Sequence, residues 1–258
     1  MLMPDEQNVL MRLSVFRGVF MLESAERVAG ATPAVIRSLV EKSLVRSDSA
    51  DLCDMHQLLR RFAGEKLAAA GEAEATGYAH AEYFAQYAEA RAMPSGADAI
   101  ERCYDDVRAA LSWADERGNS VILLRMSGAL RRFWETRGYH TEARMWLARA
   151  LELDDGTATP EVRAEAIFVA GTLAWKQSDF VPAREYLERA LALQQQLETT
   201  NDIAYTFMYL GYVTMNTGDH DGARGYFLEM LEAGRLIEDD RLIARALGCL
   251  GLLELELT

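Results

Sequence analysis

Cysteine is scarce: Cys53, Cys103 and Cys249 stand far apart and are odd in number. They offer neither a disulfide framework nor a zinc-ligand spacing, and such usage fits a reducing cytoplasm. Long apolar runs are missing too, so no membrane span is expected. The opening Met1-Leu2-Met3-Pro4-Asp5-Glu6 lacks the apolar stretch of a secretion signal. No G-x-x-x-x-G-K-[ST] loop and no glycine-rich dinucleotide fingerprint occurs, which removes a phosphate cradle from this chain. No Ser/His/Asp or Cys/His order suggests nucleophilic catalysis. The chain is therefore expected to be no enzyme and to carry no cofactor or metal of its own.

What is present is a chain of 258 residues, 50% hydrophobic and 26% charged, enough for a sizeable core in one or two domains. Charge is uneven. Residues 1–70 hold nine basic and nine acidic side chains, so the whole net charge of −13 lies in the remainder. Such a field repels phosphate backbones.

Self-similarity decides the architecture. RGYHTEARMWLARAL (137–151), QSDFVPAREYLERAL (177–191) and TGDHDGARGYFLEML (217–231) align at a spacing of 40 residues. Ala143, Ala183 and Ala223 share one position, each followed by arginine (Arg144, Arg184, Arg224). Leu147, Leu187 and Phe227 form a second column, and Ala150, Ala190 and Met230 a third. Upstream, Gly171, Gly211 and Gly251 keep the spacing, and Arg131 breaks that column in the first unit. Two helices that cross closely need small residues where their backbones approach, and large apolar residues fill the gap beside them. Gly138 and Gly218 suit a left-handed helix end, and Asp179 and Asp219 stand where the next helix needs an N-cap. Each unit is thus a helical hairpin that must stack to bury its apolar face. The pattern resembles a tetratricopeptide repeat in a 40-residue form, over about 120–258. The sequence ends one helix into a further unit, at Leu257-Thr258, which suggests a piece of something longer.

The front portion reads differently. Gln7–Phe16 is an apolar helical stretch and Leu22–Val28 a second, ending at Gly30. Thr32-Pro33 supplies an N-cap and a first-turn proline for a third helix through Lys42. Leu44-Val45-Arg46 and Asp51–Met55 flank the polar turn Ser47-Asp48-Ser49-Ala50, a short hairpin, and a helix follows from about His56 to Ala70. This makes a winged-helix arrangement. The expected organisation is a winged-helix module over 1–72, linking helices over 73–119 and repeats over 120–258, in a mainly α protein.

RLSVFRGVFMLESAERVAG, VIRSLVEKSLVR and DMHQLLRRFAGEKL together resemble the winged-helix module of NB-ARC-type signal-transduction ATPases of the STAND class. AHAEYFAQYAEA and YDDVRAALSWADERG look like that family's linking helices. The resemblance implies an ATPase domain upstream, binding ATP or ADP, which this chain would contact within one polypeptide. Met55-His56-Gln57-Leu58-Leu59 resembles the family's Met-His-Asp motif, whose histidine reaches the β-phosphate of ADP. Carried over, His56 is the candidate, with Gln57 where the acid would be. The alternative is a histidine that caps the start of its helix.

His80, His140 and His220 remain, and the last two share a repeat position with Phe180 between them, which favours packing at a helix start. For DNA, the third helix offers Arg37 and Lys42 against Glu41, and the hairpin Arg46 against Asp48 and Asp51, which is poor in the side chains that read bases. DNA binding is not expected.

The first helix of each hairpin lines the inner wall of a tetratricopeptide stack. That register places Arg125, Arg132 and Glu135 on the wall in the first unit, and Phe168, Thr172 and Trp175 in the second. Tyr205, Met208, Tyr212, Met215 and Asn216 follow, then Leu252 and Leu255. Aromatic and methionine side chains are common anchors of a binding surface, and packing within the stack is the alternative. The resulting expectation is a non-catalytic regulatory and sensing region whose repeats take a protein, peptide or small inducer. A stand-alone scaffold is the second reading and a DNA-binding regulator the third.

Overall fold

A computed structural model describes residues 2–47 and 52–256. The chain is mainly α and divides into two compact units, one up to Arg137 and one from Gly138. The division falls after, not before, the helices at 120–137.

Unit 1 opens with α1 (Pro4–Arg12), which begins three residues before the stretch expected from apolar periodicity. Pro4 sits in its first turn, and the Glu6 carboxylate reaches back to accept the Met3 N–H at 2.8 Å. A tight 3-10 turn over Leu13–Val15 then leads to Phe16 in extended conformation. A two-residue strand β1 (Phe20–Met21) runs into α2 (Leu22–Ala29), which stops at Gly30 with φ of 67°. Only a residue without Cβ takes that left-handed geometry freely. Thr32 caps α3 (Pro33–Glu41), its hydroxyl accepting the Val35 N–H at 3.3 Å.

Strands β2 (Arg46–Ser47) and β3 (Leu52–Asp54) pair antiparallel, and β1 pairs with β3, giving the sheet order β1-β3-β2. The hairpin is thus present and shorter than its sequence limits. Ser47, expected to open the turn, lies in β2, and Asp48, Ser49, Ala50 and Asp51 lie outside the described residues. The strand β1 had no sequence signal, because two residues are too few for any periodicity to show. Helix α4 (Gln57–Ala69) follows His56.

Five further helices complete unit 1: α5 (Ala73–Glu89), α6 (Ala97–Arg102), α7 (Tyr104–Glu116), α8 (Ser120–Ala129) and α9 (Arg131–Arg137). Helices α5, α7 and α8 pack on one another, and α5 also packs on α2. Phe16 lies at the centre of a cluster of rings in this core. It is fully buried, with ring centroids 4.9 Å from Phe20, 5.4 Å from His80 and 6.5 Å from Phe84. The break between α8 and α9 lies beside Arg131, the position where the glycine column fails.

Unit 2 contains α10 (His140–Glu152), α11 (Pro160–Lys176), α12 (Phe180–Gln196), α13 (Thr200–Asn216), α14 (His220–Leu236) and α15 (Asp240–Glu256). Successive helices pack in antiparallel hairpins, and α11, α13 and α15 also touch in sequence. Ala183, Leu187 and Ala190 are fully buried, as are Ala223, Phe227 and Met230. A Cβ built on Gly171 would lie 2.7 Å from Leu187 Cγ, and one on Gly211 would run into the Phe227 ring. Each glycine is a saddle into which the large residue of the next helix drops.

Turn geometry repeats as well. Gly138 and Gly218 have φ of 77° and 84°, and Ser178 takes the left-handed role between them at 59°. Asp219 caps α14 by accepting the Gly222 N–H at 2.9 Å. Asp179 occupies the same site before α12 but makes no cap. Its carboxylate accepts from Arg144 at 2.7 Å instead.

Candidate functional site

The repeat face of unit 2 is built on α11 and α13. These helices run in the same sense one hairpin apart, so side chains 40 residues apart stand side by side. Trp175 on α11 stacks on Tyr212 on α13, with centroids 5.3 Å apart and planes 18° from parallel. Tyr209 lies edge-on to Trp175 at 5.4 Å and to Phe168 at 5.6 Å, and Tyr212 is edge-on to Phe227 at 5.6 Å. One run of aromatic contacts therefore crosses the stack. The Tyr212 hydroxyl meets Cys249 Sγ of α15 at 3.1 Å, and burial, reinforced by that thiol, pushes the phenol above its ordinary range.

Exposure separates the expected wall residues into two groups. Phe168, Thr172 and Met208 are buried. They bind the hairpins together, and the Thr172 hydroxyl is used up on the Val169 carbonyl at 2.9 Å. Trp175, Tyr205, Tyr212 and Met215 are half-buried and Asn216 is exposed. Asn216 donates to the Tyr212 carbonyl at 2.8 Å, and the Arg245 guanidinium lies over the Tyr205 ring at 5.7 Å. The open part of the face is a rim of ring edges, one thioether and one cation. It suits apolar or aromatic groups and π-acceptor contacts more than small anions.

Arg125, Arg132 and Glu135 belong to unit 1 and are engaged inside it. Arg125 of α8 bridges two carboxylates of α5, at 2.7 Å to Glu89 and 2.8 Å to Glu82. Those pairings, Glu89 first, raise its already high pKa. Arg132 pairs with Glu135 at 3.5 Å along the same helix. Sequence register alone counted all three as wall residues. The long-range pairing of Arg125 could not be read from it.

His56 is the N-cap of α4. Its Nδ1 accepts the Leu58 N–H at 3.2 Å, and the residue is exposed. With Nδ1 accepting, the ring proton is carried on Nε2, which has no hydrogen-bond partner among the described residues. Leu58 (74% exposed) and Phe62 (55% exposed) lie in the first and second turns of the same helix.

An open cleft of about 790 Å³ lies between α4, α5 and α7, lined by Arg17, Arg60, Arg61, Arg117 and the half-buried Trp113. No carboxylate is among its described lining residues, but three of the four cations are neutralised from the side. Arg60 pairs with Asp54 at 3.1 Å, Arg61 with Glu65 at 3.3 Å and Arg117 with Glu74 at 3.0 Å. Arg60 also holds the Arg17 and Gly18 carbonyls, at 2.9 Å and 3.2 Å. Arg17 alone of the four has no carboxylate partner among the described residues. The cleft is less positive than its residue names suggest.

The feature sequence reasoning missed is a buried pair in unit 1. His80 of α5 and Asp106 of α7 are each 1% exposed, with His80 Nε2 and the Asp106 carboxylate 3.2 Å apart. The same carboxylate accepts the Arg17 N–H at 2.6 Å. A separation of 26 residues carries no local signal. Among the described residues no three metal-ligating side chains gather, and no helix is long and apolar enough to cross a membrane.

No protein-family model matches this chain. Three proteins provisionally named HTH-type transcriptional regulators, one from Mycobacterium bovis and two from strains of Mycobacterium tuberculosis, are each 27% identical over 263 aligned residues. The alignments cover 93% of this chain and 29% of each relative. The chain thus spans under a third of the length of the curated relatives it matches. Among solved structures, a signal transduction ATPase with numerous domains and a tetratricopeptide repeat sensor, from Pyrococcus horikoshii, aligns with a TM-score of 0.49 and 13% identity. That alignment covers 96% of this chain and 53% of the other.

Proposed function

We propose that this chain is a non-catalytic regulatory and sensing region of a STAND-type signal-transduction ATPase or transcriptional regulator. Its repeats take up a protein, a peptide or a small inducer. The observation that carries the reading is the half-exposed stack of Trp175 on Tyr212, rimmed by Tyr205, Met215 and Arg245. Aromatic side chains that are held rigid and left partly open give affinity at little entropic cost. The relatives' name as transcriptional regulators supports the regulatory half of the reading.

The front module supports the same reading. Its order of helix, strand, two helices, two strands and closing helix, with the sheet order β1-β3-β2, supports a winged-helix reading of the front module. In this proposal the free Nε2 of His56 donates to an ADP phosphate held by an upstream domain, and Leu58 and Phe62 lie against that domain. Uptake of a partner by the repeats shifts the nucleotide state only if the partner binds one state more tightly than the other.

The test uses the full-length protein. Trp175→Ala and Tyr212→Ala are expected to cut the regulated output about tenfold or more while circular dichroism stays unchanged. An unchanged output removes the repeat face from the mechanism, and unfolding of both variants makes them core residues. His56→Ala is expected to release bound nucleotide. Unaltered nucleotide retention removes that step alone.

A second reading, DNA binding through the front module, draws on the relatives' description as HTH-type. Lys42 weakens it, because its ammonium is held by both Glu6 carboxylate oxygens at 2.6 Å. A low-salt mobility shift that shows no retardation at micromolar protein excludes it.

A further inference from the structure

Helix α15 carries two apolar faces, and only one is covered. Leu242, Ala246, Cys249 and Leu253 are buried against α13 and α14. The other face presents Ala244, Leu247, Gly248, Gly251, Leu252 and Leu255 to solvent. Leu247 and Leu252 are each 52% exposed and Leu255 is 72% exposed. A helix that closes a repeat stack toward water needs a polar outer face, and this face is the reverse of one.

The repeat register says what the face is shaped for. Ala244, Leu247 and Gly251 stand 40 residues after Ala204, Phe207 and Gly211, and 80 after Ala164, Ile167 and Gly171. In those two earlier helices the corresponding surface is covered by the second helix of the hairpin, α12 on α11 and α14 on α13. Gly171 is filled by Leu187 and Gly211 by Phe227, whereas nothing lies within 4 Å of a Cβ built on Gly251. Glycine inside a solvated helix only weakens it. Glycine where another helix must cross closely is what the first two saddles use.

We propose that the face Ala244–Leu247–Gly251 is the docking surface for one more helix of the α12 and α14 type. In this proposal the helix comes from sequence following α15 in a longer polypeptide, runs antiparallel to α15 and seats a large apolar side chain on Gly251. Its pattern is specified. The residue 40 positions after Ala223 is small, and the residue 40 positions after Phe227 is large and apolar. The curated relatives, of which this chain spans 29%, have the length to hold such a helix.

The experiment extends the protein by the next twenty or so residues of its gene and compares hydrogen exchange in α15 with that of the 258-residue chain. Protection over residues 244–255 is expected to rise at least about tenfold, and Gly251→Phe is expected to cancel that rise by filling the saddle. Gly251→Ala gives the milder version. It is expected to stabilise α15 in the shorter chain, where the site is open, and to destabilise it in the extended one. A stop codon, polar residues at the two specified positions, or exchange unchanged by the extension overturns the proposal. So does protection of α15 in the shorter chain that rises with concentration, since a second copy then occupies the face.

Discussion

The two units are held together in different ways. Unit 1 depends on single contacts between distant residues, each made once. Asp106 joins His80 and the Arg17 backbone, Arg125 spans Glu82 and Glu89, and Glu6 gathers Met3, Ser38 and Lys42. Unit 2 makes one contact repeatedly: a glycine saddle, a large apolar side chain in it, and buried alanine or methionine on either side. Damage to a contact made once removes something the unit cannot replace. Damage to a repeated contact stays local, because each hairpin touches only its neighbours.

Phe227→Ala tests that difference most severely. It empties a fully buried site at the Gly211 saddle and is expected to cost about 3–5 kcal/mol. Hydrogen exchange is expected to rise in α13, α14 and α15 and to stay unchanged in unit 1. Spread of the effect to unit 1 would break the distinction between the units. Asp106→Ala is the matching change on the other side. It strands the Arg17 N–H and leaves His80 without its carboxylate, for an expected loss of about 3 kcal/mol in urea unfolding of unit 1.

Gly211→Ala is smaller and more selective. The added methyl runs into the Phe227 ring, so overpacking of about 1–3 kcal/mol is expected despite the better helix propensity of alanine. A gain in thermal stability would show that the saddle is not tight.

The smallest expected effect is one of pH. Glu6 is held at about 2 rather than 4.5, first by the Lys42 ammonium, then by the Ser38 hydroxyl and the Met3 N–H. Its folded value lies below its unfolded one. The stabilisation is therefore complete above 4.5 and lost as the pH falls toward about 2. Melting curves across that range are expected to fall less steeply for Glu6→Gln than for the parent. Parallel curves would mean that the cluster contributes nothing to folding.

The same contrast explains what could be read from the sequence. Alanine and glycine columns recur, so the hairpins of unit 2 and their saddles show as spacing. Thr32-Pro33 and Gly30 act on their own neighbours, so the ends of α2 and α3 were legible too. The strand β1 was not, because its partner lies more than thirty residues on, at Leu52 and Cys53. Nor was the division at Gly138, since α8 follows the repeat spacing but packs on α5 and α7. For the repeat face, register placed Phe168, Thr172, Trp175, Met208 and Tyr212 on one wall of α11 and α13. It could not say that Phe168, Thr172 and Met208 would be covered while Trp175 and Tyr212 stayed half open, because that depends on how closely the hairpins approach.

The three cysteines, unpaired and buried, have a practical consequence. Burial suppresses every thiolate, pushing Cys103 up to about 12, with Asp106 adding to the effect, and raising Cys53 and Cys249. An alkylating reagent therefore reacts only with molecules that have opened. One thiol sits in β3, one between α6 and α7, and one in α15. The protein thus carries three internal clocks, and mass spectrometry of labelled peptides can time the opening of the sheet, the α6–α7 region and α15 separately without a substitution.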